Sequence, residues 1–183
     1  MGSNVEMAAT SRPYYRSTYV FVTRASDKLG NLTLDNPRLK TLRIGVQMIG
    51  DDFSNTPPAH ALTRRGIVSN IRGYMLYGDY RNPDPPSEIV KAVERGDVDV
   101  ALVWGPLAGY FAARSPVPLR LDPVTPWMDD MQWPMQFDVS VGVRRGNQKL
   151  LKEIDGVLSR RAGDIQRLLA AYHVPVVRGG STT

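Results

Sequence analysis

The stretch VDVALVWGPLAGYFA (98–112) constrains the fold more than any other part of the chain. It carries no charge from Val100 to Ala112 and changes character at Trp104-Gly105-Pro106. Its first half has the continuous apolar character of a strand buried on both faces. Its second half starts a helix, with Pro106 at a first-turn position where a missing N–H costs nothing. Such a strand-to-helix junction belongs to open α/β sheets, which hold ligands in the crevice outside the carboxyl ends of their strands. Trp104 is the last strand residue and points the question at that crevice: part of a recognition surface, or core packing.

The rest of the chain repeats the alternation. STYVFVTR (17–24) and LRIGVQMI (42–49) have strand patterning, and residues 25–41 are expected as a loop with one short turn ending at Pro37. A helix is expected after Thr56, with Thr56 accepting a bond as N-cap, Pro57 at the first position and Gly66 closing the end. IRGYMLY (71–77) is a third strand, and GDYRNPDPP (78–86) a proline-rich loop. Ser87 is expected to cap EIVKAVER, with Gly96 as the stop. LRLDPVT (119–125) is a fifth strand, 126–135 a Trp/Met-rich loop, and 137–146 alternates again. Two helices are expected over about 147–160 and 163–173, or one long helix through Gly163. Strands alternating with helices predict an α/β fold with a mostly parallel five-stranded sheet covered on both faces.

Several functions are disfavoured by what the chain contains. It has no cysteine, which excludes thiolate nucleophiles, disulfides and cysteine metal sites. His60 and His173 are its only histidines and are not closely spaced, so no metal site is expected. The formal net charge is +5, but the basic residues stand as singles and pairs (Arg64-Arg65, Arg144-Arg145, Arg160-Arg161). A nucleic-acid binder would cluster them, so no nucleic-acid partner is expected. Ser54 and Ser140 lie in no nucleophile-elbow context, and no phosphate-loop, dinucleotide or zinc-protease motif is present. The chain is therefore expected to be no enzyme and to use no cofactor. No membrane span is expected either. No signal peptide opens the chain, so an export signal is expected upstream of Met1.

The candidate cleft residues follow from the strand ends. Asp51 and Asp52 follow the second strand, as turn-formers or as ligand contacts. GDDFSNTPP (50–58) leads through Thr56 into a helix start, where free N–H groups favour an anion. Tyr77, Asp79 and Tyr80 follow the third strand, and Trp104 and Gly105 end the fourth. WMDDMQWPM (127–135) suits either a protein contact or packing on its own lobe.

Three passages resemble the type II periplasmic solute-binding proteins: LRIGVQ, EIVKAVERGDVDVALVWGPLAGYF and FDVSVGVRRGNQKLLKEIDGVLSRR with IQRLLAAYHVP after it. A closer resemblance covers nearly the whole chain. RPYYRSTYVFVTR, DNPRLKTLRIGVQMIGDDFSNTPPAHALTRRGI and VDVALVWGPLAGYFAARSPVPL are similar to the MxaJ/XoxJ-type components encoded beside PQQ-dependent methanol dehydrogenases.

The resemblance implies a periplasmic accessory of a quinoprotein dehydrogenase, with that dehydrogenase as partner, or alternatively the substrate-binding component of an importer for a small polar solute. It also implies one complete lobe over 25–136, a first-lobe remnant and crossing strand over 1–24, and a return strand with first-lobe helices over 137–183. A longer N-terminal part, completing the first lobe, would precede the chain. In the amino-acid binders the position matching Trp104 is commonly an Asp that pairs with the ligand's ammonium, so binding of a standard amino acid is not expected. The stripes Leu150, Leu151, Ile154, Val157, Leu158 and Ile165, Leu168, Leu169, Tyr172 would cover the first lobe's sheet. Here they are expected to fold back on the crossing strands, to pair with another copy, or to sit loosely.

Overall fold

The structure, a computed structural model, describes residues 8–49, 55–75 and 84–177. In chain order its elements are β1 (Ala8–Thr10), β2 (Tyr15–Arg24), β3 (Ile44–Met48), α1 (Pro57–Arg64), β4 (Ile71–Met75), α2 (Glu88–Arg95), β5 (Val100–Trp104) and α3 (Gly105–Ala112). They continue with β6 (Leu119–Pro123), β7 (Met128–Asp129), β8 (Trp133–Pro134), β9 (Gln136–Val139), β10 (Gly142–Arg144), α4 (Gln148–Arg160) and α5 (Ala162–Ala171).

The main sheet runs β4-β3-β5-β2-β6. β3 pairs parallel with β4 and β5, whereas β2 pairs antiparallel with both β5 and β6. Four of the five strands therefore point one way and β2 alone is reversed. The alternation of strand side chains sorts the core onto two faces. Phe21, Val46, Val100 and Leu102 pack on one face with Ala61 and Leu62 of α1. Val20, Val22, Ala101 and Val103 pack on the other with Ile89, Val90 and Val93 of α2 and Ala108 of α3. Both faces are covered, which is why β5 has no polar residue: neither side meets water.

β2 has two jobs along its ten residues. Tyr19–Arg24 form the fourth strand of the main sheet, while Tyr15–Thr18 pair antiparallel with β9. The main sheet thus draws a strand from before residue 25. The segment after α5 lies against the same strand: Val176 bridges Ser17, the Ser17 hydroxyl donates to the Pro175 carbonyl at 2.6 Å, and the Val177 N–H donates to Arg16 O at 2.9 Å. This close approach requires glycine on α3. A Cβ at Gly109 would lie 1.9 Å from the His173 carbonyl oxygen, and one at Gly105 would lie 2.5 Å from that of Thr18.

Several local expectations are corrected. Residues 25–41 hold two short 3-10 turns, at Ala25–Asp27 and Pro37–Lys40, and bury Leu32, Leu34 and Leu39. They are part of the core on the α1 face. Thr56 and Ser87 occupy the N-cap positions of α1 and α2, but neither side chain caps. The Thr56 hydroxyl donates to Gln47 O at 2.8 Å, and that of Ser87 donates to Asp84 O at 2.6 Å. In both cases the hydroxyl ties the helix start to an earlier carbonyl. Residues 137–146 are split at Ser140-Val141: β9 pairs with β2, and β10 pairs with β1. Gly66 and Gly96 close α1 and α2 with positive φ, as expected. The tail is two helices that meet at Arg161.

α4 and α5 bury no residue fully. α4 is tied to the segment between β1 and β2, where the Arg12 N–H donates to Asp155 Oδ1 at 2.9 Å, and Tyr172 after α5 stacks on Tyr110 of α3. Leu150, Val157, Leu168 and Tyr172 remain exposed.

Candidate functional site

β3 and β5 run parallel and end side by side, with α1 and α3 starting beyond them. This is the crevice where an open α/β sheet presents its loops. At its centre the Trp104 backbone N–H donates to Gln47 Oε1 at 2.8 Å. Gln47 is buried, and its own carbonyl receives the Thr56 hydroxyl. The side chain of Gln47 thus joins the two strand ends, and Thr56 locks the start of α1 to the same residue. Thr56 is itself buried, so its hydroxyl is committed to this brace.

The Trp104 indole is packed among rings from β2 and β9. Its centroid lies 5.3 Å from that of Tyr19 on β2 and 5.9 Å from that of Phe137 on β9, both edge-on. Tyr19 and Phe137 complete the triangle at 6.4 Å. Burial pushes the Tyr19 hydroxyl up to about 12, so it stays protonated and neutral. Trp104 offers one N–H donor and no charge. The end of β5 is therefore an aromatic, uncharged surface.

The start of α1 is also poor in donors. Pro57 and Pro58 take its first two positions, and neither has a backbone N–H. Anion capture at a helix N-terminus depends on those groups. The expectation that this start attracts an anion is corrected on that point.

Of the expected cleft residues, Thr56, Trp104 and Gly105 are brought together here. Gly105 is buried and serves the close packing of α3 on β2. Asp51, Asp52, Tyr77, Asp79 and Tyr80 lie outside the described residues. Sequence reasoning missed Gln47, Tyr19 and Phe137. Gln47 was visible as the single polar residue within the apolar run IGVQM. Tyr19 and Phe137 had no such signal, because aromatic residues are ordinary in strands.

Beside this site, β7 and β8 form a hairpin that the sequence suggested as a loop. Asp129 is buried and receives Arg65 at 2.8 Å, with Arg64 at 3.4 Å. His60 of α1 stacks on Trp133 with centroids 4.0 Å apart. Among the described residues no group of His, Asp and Glu is placed to hold a metal ion, and no helix is long and apolar enough to cross a membrane.

This arrangement has close counterparts among solved structures. The periplasmic binding protein XoxJ from Methylobacterium extorquens AM1 matches with a TM-score of 0.77 and 29% identity, over 94% of this chain and 74% of that one. MxaJ from a Methylophaga strain, aminisulfidivorans MPT, matches with a TM-score of 0.76 and 26% identity, over 97% and 74%. An ancestral cationic amino-acid solute-binding protein shares the fold at a TM-score of 0.65 and 14% identity, over 92% and 63%. The fold is that of the type II periplasmic binding proteins.

Sequence comparison narrows this. Protein MoxJ of Methylorubrum extorquens is 33% identical over 92% of this chain and 58% of its own length. Protein MoxJ of Paracoccus denitrificans is 28% identical over 94% and 64%. The chain thus spans about three fifths of the length of these curated relatives. No family model matches. Within this fold, the chain is similar to periplasmic binding proteins of the MxaJ/XoxJ type.

Proposed function

We propose that the chain is a periplasmic accessory of a quinoprotein (PQQ-dependent) methanol dehydrogenase system, and that it acts by binding a protein rather than by catalysis. The observation that carries this reading is the end of β5. There an indole packed between Tyr19 and Phe137 stands at the position where the amino-acid binders commonly have an ammonium-pairing Asp. A neutral aromatic surface suits protein contact better than a zwitterionic solute. The two prolines opening α1 support the same reading, since a solute carboxylate would find few free N–H groups there. The resemblance to MxaJ/XoxJ-type components, which the relatives named MoxJ, MxaJ and XoxJ support, makes a methanol dehydrogenase system the expected partner. On this reading residues 25–136 act as one lobe, whose sheet also takes in Tyr19–Arg24 of β2, while 1–24 are a first-lobe remnant and crossing strand and 137–183 a return strand with first-lobe helices.

The test has two arms. The immobilised chain is expected to retain purified methanol dehydrogenase. Amino acids, PQQ and small organic acids are expected to leave its melting temperature unchanged, because a ligand that binds only the folded state would raise it. Failure to retain the enzyme, together with a melt shifted by several degrees by one solute, would establish an importer component instead.

A further inference from the structure

We propose that the β7–β8 hairpin is a pre-formed docking element that seats Met131 and Trp127 in an apolar socket of a folded protein partner. The proposal rests on the accessory reading and names the surface used. Met131 is 93% exposed and Trp127 57% exposed, the largest such pair on one short segment among the described residues. An exposed Met and Trp together have the composition of an interface core rather than of a solvated loop.

The hairpin does not hold these side chains out for lack of anchorage. Its root is fixed to α1 and its end by Asp129, which is buried and paired with Arg64 and Arg65, and by the stack of Trp133 on His60. Asp130 is paired with Arg64 at 3.0 Å. The Met135 N–H donates to Trp127 O at 2.7 Å, and Met135 is buried. A pinned root with an apolar tip is a pre-ordered contact, which loses little conformational freedom when it binds.

The backbone at the tip points the same way. Asp130 and Met131 have φ of 50° and 53°, and the Gln132 N–H donates to Asp129 O at 3.2 Å. Positive φ at both central positions is the pattern of a type I′ turn, which favours Asn, Asp and Gly. Met at the second position is a costly choice for the turn, and its side chain is 93% exposed among the described residues.

Charge separates a protein socket from a lipid surface. The hairpin and the groups paired with it contain two arginines, Arg64 and Arg65, against three aspartates, Asp35, Asp129 and Asp130. Insertion into an anionic bilayer surface draws on flanking basic residues. Here the surroundings are internally paired and slightly acidic, which fits an apolar, uncharged socket.

The experiment measures binding of purified methanol dehydrogenase to the whole chain and to the single variants Met131→Asn and Trp127→Gln, with the melting temperature of each. Asn accepts positive φ, so Met131→Asn is expected to melt no lower than the parent while binding at least about tenfold more weakly. Parent binding is expected to change by less than about threefold between low and high salt, because the contact is apolar. If the parent binds and both variants bind equally well, the hairpin proposal falls and the accessory reading stands. If the parent does not bind, both fall. Binding of the parent to phosphatidylglycerol vesicles, lost in Met131→Asn, would overturn the proposal in favour of a lipid surface.

Discussion

Single residues decide what the cleft end can do. Gln47 holds the Trp104 N–H, and Thr56 holds the Gln47 carbonyl, so two strand ends and a helix start share one buried knot. Tyr19 sits beside it with its hydroxyl raised from the ordinary 10.0 to about 12 by burial. The sign follows from linkage: the folded state keeps this proton after the unfolded chain has lost it. Stability from this group is full below pH 10 and is lost as the pH rises toward about 12. Tyr19→Phe is expected to flatten that alkaline loss and to remove a late phenolate step from the absorbance titration. Elsewhere, Asp129 is a carboxylate that must not lose its partners. Arg65→Met removes its closest pair and is expected to lower unfolding free energy by about 3 kcal/mol, read by urea denaturation. Such residues were only half legible. The lone Gln in an apolar strand was a signal, but nothing in the sequence ties Asp129 to arginines more than sixty positions earlier.

At the scale of elements, β2 and the segment after α5 form the least expected part of the fold. STYVFVTR was legible as a strand because its pattern is strong. That Ser17 and Thr18 pair with β9 while Tyr19–Arg24 enter the main sheet was not, because the pattern is continuous across the division. The glycines of α3 were visible as helix residues of weak propensity, and the structure supplies their reason: backbone lies against them. Gly109→Ala is expected to cost about 2–3 kcal/mol. It is also expected to detach residues 174–177 from β2, seen as faster amide exchange at Val177. The helix stops at Gly66 and Gly96 were legible because left-handed closure has a clear residue preference. The hydroxyl caps were not, because Thr56 and Ser87 could satisfy either their own helix or an earlier carbonyl, and sequence spacing does not choose. Residues 25–41 were misjudged for another reason. Three leucines without periodicity bury as well as a helix does when Asn and Pro turns place them, and periodic patterns miss that.

For the whole molecule, two ion pairs, one between β2 and β9 and one at the starts of β3 and β5, carry the electrostatics that respond to acid. Arg16 on β2 grips Asp138 on β9 through two bonds of 2.7 and 2.8 Å, and this holds the Asp138 carboxyl below its ordinary value. Arg43 does the same for Asp99 at the start of β5, with a bond of 2.6 Å. A depressed carboxyl adds stability above its unfolded value of 3.8, and that contribution is lost as the pH falls through the lower folded value. Stability is therefore expected to drop from pH 3.8 downward, and Asp138→Asn is expected to shallow the drop, as read by denaturant titrations across that range. Both ion pairs are partly open to water, so each contribution is small.

The three-ring cluster of Trp104, Tyr19 and Phe137 gives the molecule an internal optical gauge. One indole touches both strands through which the sheet joins the rest of the chain. With Trp127 and Trp133 replaced by Phe, its emission alone would report any rearrangement of those strands, whether a partner or a solute drives it.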